Sequence, residues 1–359
     1  MTLLDIDAPA PAGMGRDRYR RRVVLVLGAL AVIASLAAIA TGPLAIPVLD
    51  VLAWMTGFDD GSALGDVERH LLAQIRLPRI VIAILAGIGL AIGGCLMQSL
   101  FRNPLADPGL IGVSSGSALA AALAIVMLPS LPLWLGAHPA FVLPIAAFCG
   151  GLIATFLILR IADLSGGTAT VVLLLAGIGI GVIAEVAIGF LIFVSNEQQL
   201  RDITFWRMGS LAGNGWLQAG IVAVPVTIIA AFAWSVAPAL NALSLGDDVA
   251  RHLGIPVARL QRLIVVTVAA TIGAIVAFCG LIGFLGLVAP HLARLVIGHD
   301  HRWLLPVSAL IGIVIITFGD LVTRIAVAPA ELPIGLVTGA LGGPIFLYLL
   351  VRQMRSGSQ

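Results

Sequence analysis

Long apolar runs set the rhythm of the chain. Residues 23–41, 80–101, 108–159, 263–293 and 332–351 contain no Asp, Glu, Lys or Arg. Each run is long enough to cross a bilayer, because about 20 apolar residues of helix span the roughly 30 Å hydrocarbon core. Two are too long for a single crossing and carry internal breaks. One is broken from Pro129 and Pro132 to Pro139, the other from Gly280 to Gly286. Division at these breaks predicts ten spans, near 23–41, 80–101, 110–128, 140–160, 168–194, 216–236, 263–281, 284–299, 304–326 and 333–351. An even number returns the chain to the side from which it started.

Composition agrees with this pattern. The 359 residues are 60% hydrophobic and 11% charged, with a mean hydropathy of +1.11, against about 45–50% apolar residues in soluble domains. The expected fold class is all-α, a polytopic membrane protein. Charge then orients it, since arginine-rich loops stay in the cytoplasm. With both termini inside, fourteen of the 20 basic residues fall on cytoplasmic segments, among them Arg16, Arg18, Arg20, Arg21 and Arg22. The expected layout is a cytoplasmic tail over 1–22, a ten-helix domain over 23–351 and a cytoplasmic tail over 352–359, in the cytoplasmic membrane. The N-terminal tail lacks the short apolar core and small-residue cleavage site of a secretory signal, so the first span is expected to be retained.

All 20 basic residues are arginines. A chain without lysine cannot build the G-x-x-x-x-G-K-[ST] loop that cradles nucleotide phosphates. If ATP drives this protein, another subunit binds it. Cys95, Cys149 and Cys279 lie in apolar spans with no C-x-x-C spacing and read as core residues. His291 has no H-E-x-x-H or G-x-S-x-G company, so it reads as structural. No catalytic residue, metal site or nucleic-acid partner is expected.

Small residues are the packing signal where lipid removes the hydrophobic drive between helices. Gly89/Gly93, Gly177/Gly181 and Gly335/Gly339/Gly343 follow the G-x-x-x-G spacing. It suits packing within one bundle, or a face for a second copy.

Two loops on the inner side are informative. In FRNPLADPGLIGVSSGSA, Phe101 to Ala118, Pro104 and Pro108 disfavour helix at Asn103 and Asp107 and force a reversal. The stretch is either a plain interhelical turn or a constriction, with Ser114, Ser115 and Ser117 lining an aqueous path. Irregular backbone at membrane depth is tolerated where it faces a water-filled cavity. In ALSLGDDVARHLGIPVARL, Ala242 to Leu260, Asp247 and Asp248 suit a helix start, Ala250 and Leu253 give an apolar edge, and Gly254 with Pro256 ends the helix. So short a helix is marginal alone. It would dock on its own bundle, on lipid headgroups or on a cytoplasmic partner.

On the outer side, Arg76 and Arg79 flank the second span, and Arg324 and Glu331 lie at the same level. Headgroup anchoring or a socket for a partner's carboxylates would explain such a basic patch. Asp320 precedes Arg324 by four residues, the spacing of a helical ion pair. Glu185 lies inside a span, where a carboxylate costs roughly 2.5 to 3.5 kcal/mol at mid-depth; it is a pathway residue, a pairing partner or a snorkelling side chain.

Six stretches together resemble one family. RLPRIVIAILAGIGLAIGGCLMQSLFRNPLADPGLIGVSSGSA, LLLAGIGIG, FWRMGSLAG, LSLGDDVARHLGI, GLIGFLGLVAPHLARLVIG and APAELPIGLVTGALGGPIFLYLL occur in order and are similar to the FecCD-type permeases of iron-chelate and cobalamin ABC importers. The resemblance implies a type II ABC importer permease fold and a homodimer around a central path. It also implies two cytoplasmic ATPases that hold ATP and Mg, and an outer substrate-binding protein. This chain itself would bind no cofactor. Carried over residue by residue, it makes Arg76, Arg79 and Arg324 the docking sites for glutamates of the binding protein. Asn103, Leu105 and Thr170 become the cytoplasmic gate. The segment 243–254, with Gly246, Asp247, Asp248, Ala250, Leu253 and Gly254, becomes the helix that couples to the ATPase. Val171 replaces the gate's usual small polar neighbour, and Glu185 stands where relatives carry an uncharged residue. The expected cargo is an iron chelate, haem ahead of a ferric siderophore, with cobalamin third.

Overall fold

A computed structural model describes residues 15–42, 44–57, 64–127, 139–164, 170–328 and 330–356. All regular structure among them is helical. In chain order the helices are α1 (Arg16–Ala40), α2 (Val48–Thr56), α3 (Asp66–His70), α4 (Leu77–Phe101), α5 (Val113–Met127), α6 (Pro139–Leu164) and α7 (Thr170–Val194). There follow α8 (Glu197–Met208), α9 (Trp216–Leu243), α10 (Asp247–His252), α11 (Val257–Cys279), α12 (Leu285–Ile297), α13 (His301–Ile325) and α14 (Ile334–Ser356).

Ten of these, α1, α4–α7, α9 and α11–α14, overlie the ten expected spans. Seven are long and apolar enough to cross a membrane alone, while α5, α12 and the apolar part of α14 are shorter. The Pro129–Pro132 break lies outside the described residues. The other break is present: α11 ends at Gly280 (φ 66°) and α12 begins after Phe284 (φ 64°). Three helices were not foreseen: α2, α3 and α8, all away from the apolar runs. Asn196 caps α8 through a reciprocal pair with Gln199, an arrangement that frees α8 to form without membrane burial.

At both termini helix extends past the expected span limits. Helix α1 starts at Arg16 rather than after residue 22, and its first turns pack on the α12–α13 junction through Tyr19 Oη to the Val296 carbonyl (3.3 Å) and Arg20 to Asp300 (3.4 Å). Helix α14 continues to Ser356. The face carrying the start of α1 and α10 is called here the terminal face; α2 and α8 lie at the opposite face.

Helix α4 is the hub, packed by α9, α11, α12 and α13. Its glycines explain this crowding. Gly87 meets Gly312 of α13 backbone to backbone, and Gly94 meets Gly286 of α12. Gly89 and Gly93 receive the Ile275 and Ile272 side chains of α11. The outer helices keep apolar side chains exposed, such as Leu25 and Ile33 on α1 and Val182, Val186 and Phe190 on α7. Such a surface belongs in lipid or against another subunit.

Of the G-x-x-x-G sets, Gly89 and Gly93 pack inside the bundle, Gly177 packs on the Leu110 carbonyl, and Gly335 packs on that of Met208. Gly339 and Gly343 meet nothing within 4 Å among the described residues. Cys95 and Cys279 are buried as expected, whereas Cys149 is exposed on α6. Periodicity cannot tell a lipid-facing from a core-facing position when both are apolar. His291 lies half-buried within α12.

Candidate functional site: a path and its two ends

The turn after α4 is built from local chemistry. Arg102 ends the helix in the left-handed region (φ 47°). Asn103 Oδ1 then accepts the Leu105 N–H (2.9 Å), and Asp107 Oδ1 accepts that of Gly109 (2.8 Å), capping the 3-10 turn Pro108–Ile111. Side chains of this kind replace the backbone bonds that proline removes. The turn is held from two sides, with Pro108 against Gly286 and the Leu110 carbonyl against Gly177. Burial pushes the Asp107 carboxyl above the usual range, opposed by the Gly109 N–H.

Beyond the turn, a cavity of about 280 Å³ lies between α5 and α7, lined by Ser114, Ser115, Gly177, Gly181 and Glu185. Two of the three serines therefore face open space. Ser117 does not: it is fully buried, and a Cβ on Gly151 of α6 would stand 2.5 Å from its hydroxyl. Glu185 borders this cavity and is paired with Arg207 of α8 through both carboxylate oxygens (2.9 and 3.0 Å). The pairing reading of Glu185 is thus realised without removing it from the cavity wall.

At the terminal face, Asn103 is exposed and Leu105 half-buried, while Thr170 begins α7. No hydrogen bond joins Thr170 to the 103–105 turn among the described residues. Asn103 and Leu105 are thus bonded to each other within the turn, and Thr170 is not bonded to either.

Helix α10 forms where its signals predict, with left-handed or extended-left glycines at both ends (Gly246 φ 125°, Gly254 φ 79°). Asp248 pairs with Arg251 (2.7 Å), which holds the Asp248 carboxyl below its ordinary range. The expected apolar edge divides. Ala250 is fully buried with Leu243 and Val257, whereas Leu253 at the helix end is exposed on the same side as Val249, with Leu245 exposed just before the helix begins. Residues four apart share a helix face, so α10 docks on its own bundle with one side and presents an apolar stripe with the other. An ion pair that spacing could not reveal joins Arg102 of the turn to Asp247 at the start of α10.

At the opposite face the three arginines are together but turned inward. Arg76, Arg79 and Arg324 are only 4%, 8% and 6% exposed. Arg76 closes a π-helical turn, Leu71–Arg76, and donates from Nη1 to the carbonyls of Ile39 (2.7 Å) and Ala40 (3.1 Å) and from Nη2 to that of Leu44. Arg324 donates to Ala38 (2.8 Å) and Thr41 (3.1 Å). The Ala38, Ile39 and Ala40 carbonyls belong to the last turn of α1, which leaves its final carbonyls without helical partners, and those of Thr41 and Leu44 lie just beyond it. Arg79 binds Asp320 (2.9 Å) and Glu331 (2.9 Å), and Asp320 also pairs with Arg324 (3.2 Å). The helical ion pair expected for Asp320 is present and is one part of a larger network. A ready socket of three free guanidinium groups is not, because each cation already has a buried partner. Among the described residues no cluster of His, Cys, Asp and Glu could hold a metal.

This arrangement is a ten-span bundle with a broken turn at one end of a cavity and an exposed short helix bonded to that turn. The sequence profile of the FecCD transport family matches residues 30–352. The chain belongs to that family. It is 44% identical over 301 residues to the hemin transport system permease protein of Yersinia pestis, covering 82% of this chain and 88% of the relative. It is 38% identical over 342 residues to the vitamin B12 import system permease protein of Salmonella schwarzengrund, covering 95% and 98%. Among solved structures, one described as an inward-facing metal-chelate type ABC transporter matches with a TM-score of 0.79 and 30% identity, over 92% of this chain and 99% of that one. As a member of the FecCD family, the chain is a multi-span ABC importer permease, a transport subunit rather than an enzyme. ATPase and substrate-binding partners follow from that membership.

Proposed function

We propose that this permease moves an iron chelate, haem before a ferric siderophore and cobalamin third, across the cytoplasmic membrane by alternating access. The observation that carries the mechanism is the Arg102–Asp247 pair. It links the helix that would sit on an ATPase to the turn that would close the path. Movement of α10, whose exposed Val249 and Leu253, with Leu245 just before the helix, offer the ATPase an apolar contact, would pull on Asn103 and Leu105 through this pair. Two copies would enclose the path between their α7 helices. Thr170 would then meet the 103–105 turns across the dimer. The terminal face is the cytoplasmic one in this reading, as the arginine bias suggests.

The ion pair is exposed, so it adds less than about 1 kcal/mol to stability. Its effect should appear in transport instead. Arg102→Glu or Asp247→Arg is expected to lower ATP-driven uptake in reconstituted vesicles by on the order of tenfold, equivalent to about 1.4 kcal/mol of coupling. The double exchange should recover most of it. Full uptake by both single variants would remove the pair from the mechanism.

Docking of a binding protein at Arg76, Arg79 and Arg324 needs a carboxylate exchange rather than an empty socket. Glu331, whose side chain is 41% exposed, occupies Arg79 from the surface side. It stands where an incoming glutamate would bind. Asp320 and the α1 carbonyls hold the rest of the arginine cluster in place during such an exchange.

Haem leads because the hemin permease has the higher identity, 44% against 38% for the vitamin B12 permease. A strain lacking this gene, grown under iron limitation on hemin or on a ferric siderophore and separately under cobalamin dependence, is expected to fail on hemin alone. Failure on cobalamin alone would reassign the cargo. A proton-coupled carrier using Glu185 and Asp320 is disfavoured, because Arg207 binds the first and two arginines bind the second. Uptake by vesicles without ATPase subunits would favour that carrier.

A further inference from the structure

A second cavity, of about 260 Å³, opens at the terminal face between the 102–104 turn, α12 and the start of α13. It is separate from the α5–α7 cavity. Its titratable lining is entirely basic: Arg102, Arg294, His299 and His301, with Gln98 and Ser244 among the polar groups. Among the described residues no carboxylate lines it.

Most of the nearby charges are already matched. Arg102 has Asp247. Asp300, just outside the cavity, accepts from Asn241 (3.0 Å) and pairs with Arg20 (3.4 Å). Its amide bond to Asp300 fixes Asn241, whose Oδ1 accepts from the His301 backbone N–H (2.9 Å) and faces His301 Nδ1 (2.7 Å). Nδ1 must then hold the ring proton, and Nε2 lies 2.6 Å from the Ser99 hydroxyl, whose single proton also has the Cys95 carbonyl (2.7 Å) within reach. Both nitrogens of His301 are used.

Arg294 is the exception. Its Nε and Nη2 are buried without a hydrogen-bond partner, and no carboxylate oxygen lies within 4.0 Å of the guanidinium among the described residues. The buried Gln98 Oε1 is likewise unpartnered, while its Nε2 is spent on the carbonyls of Gly286 and Leu287 (both 3.3 Å). An uncompensated buried charge is strongly unfavourable, and pairing relieves it. Arg294 also lines this basic cavity, and a guanidinium group there suits an anion with several acceptor oxygens.

We propose that this cavity binds a phosphate-group oxyanion, held by Arg294 at its wall and by Arg102 and His299 at its mouth. Guanidinium groups match phosphate oxygens with paired, charge-assisted bonds. The Gln98 oxygen would take the proton of a singly protonated phosphate or a water. The phosphate group could belong to a soluble phosphate or to an anionic lipid. The inference does not depend on the transported cargo.

The full-length protein, in nanodiscs of phosphatidylcholine, would be titrated with inorganic phosphate against chloride at matched ionic strength, with unfolding temperature and native mass spectrometry as readouts. A second series would replace phosphatidylcholine with phosphatidylglycerol. Binding of inorganic phosphate identifies a soluble ligand; stabilisation only by phosphatidylglycerol identifies the lipid. In either case Arg294→Gln should weaken the response about tenfold or more. Should that variant fold poorly, Ser244→Glu, which supplies a carboxylate from the cavity wall, is expected to stabilise the protein without phosphate and to abolish the response. An equal response in wild type and both variants, or none in any, would overturn the proposal.

Discussion

Replacement of Asp320 by alanine is expected to destabilise the protein by about 3–5 kcal/mol and to release α1 from the bundle. The carboxylate is 1% exposed and sits between Arg79 and Arg324, themselves 8% and 6% exposed. It holds Arg79 at 2.9 Å and Arg324 at 3.2 Å. Removing one partner of such a network leaves two buried guanidinium groups short of countercharge. The consequence reaches α1 because Arg324 also binds the Ala38 and Thr41 carbonyls at its C-terminus. Proteolysis near the end of α1 and thermal unfolding in detergent would read both effects. Glu331→Gln is the control. That carboxylate has a side chain 41% exposed, so its loss should change stability by about 0–1 kcal/mol. Equal unfolding temperatures for Asp320→Ala and wild type would show that the arginines find other partners.

Gly94→Ala is expected to prevent α4 and α12 from packing. A Cβ at Gly94 would lie 1.7 Å from the Gly286 oxygen and 2.5 Å from its carbon. Both are backbone atoms of α12 and cannot rotate aside. Overpacking that side chains can absorb costs about 1–3 kcal/mol; here whole helices must separate, and the cost should reach the top of that range or exceed it. Separation would also strain the Gln98 bonds to the Gly286 and Leu287 carbonyls (3.3 Å each). Two controls bracket the effect. At Gly89 the nearest obstacle is the flexible end of Ile275, 2.6 Å away, so alanine should be milder. At Gly28 nothing lies within 4 Å, and alanine in the middle of α1 should gain about 0.5–1 kcal/mol. Similar folded yields for Gly94→Ala and Gly28→Ala would contradict the packing account.

These two sites also divide what the sequence discloses from what it conceals. The hydrophobic runs determined ten membrane helices, because each span must satisfy its own backbone in lipid and therefore announces itself locally. Prolines 104 and 108 determined the broken turn, and the Asp247, Asp248, Gly254 and Pro256 signals determined α10, since turns and caps depend on neighbours in the chain. The ordered motifs were enough to indicate the FecCD family. The polar helix α8 was also legible in principle, through the Asn196–Gln199 capping pair that lies outside the apolar runs.

Tertiary structure decided the rest. Spacing singled out Gly339 and Gly343, which meet nothing within 4 Å among the described residues, and missed Gly94, whose partner Gly286 is far along the chain. Close approach is a property of two helices, and a within-helix period describes only one. The same reason turned the arginines of the opposite face inward. Arg76 and Arg324 read as free outer charges until the C-terminal carbonyls of α1 are placed beside them. It separated Ala250 from Leu253 on α10, and Ser117 from Ser114 and Ser115 on α5. In an almost uniformly apolar chain, composition locates the membrane, but only the pairing of distant helices determines which polar groups satisfy one another and which remain to face a ligand.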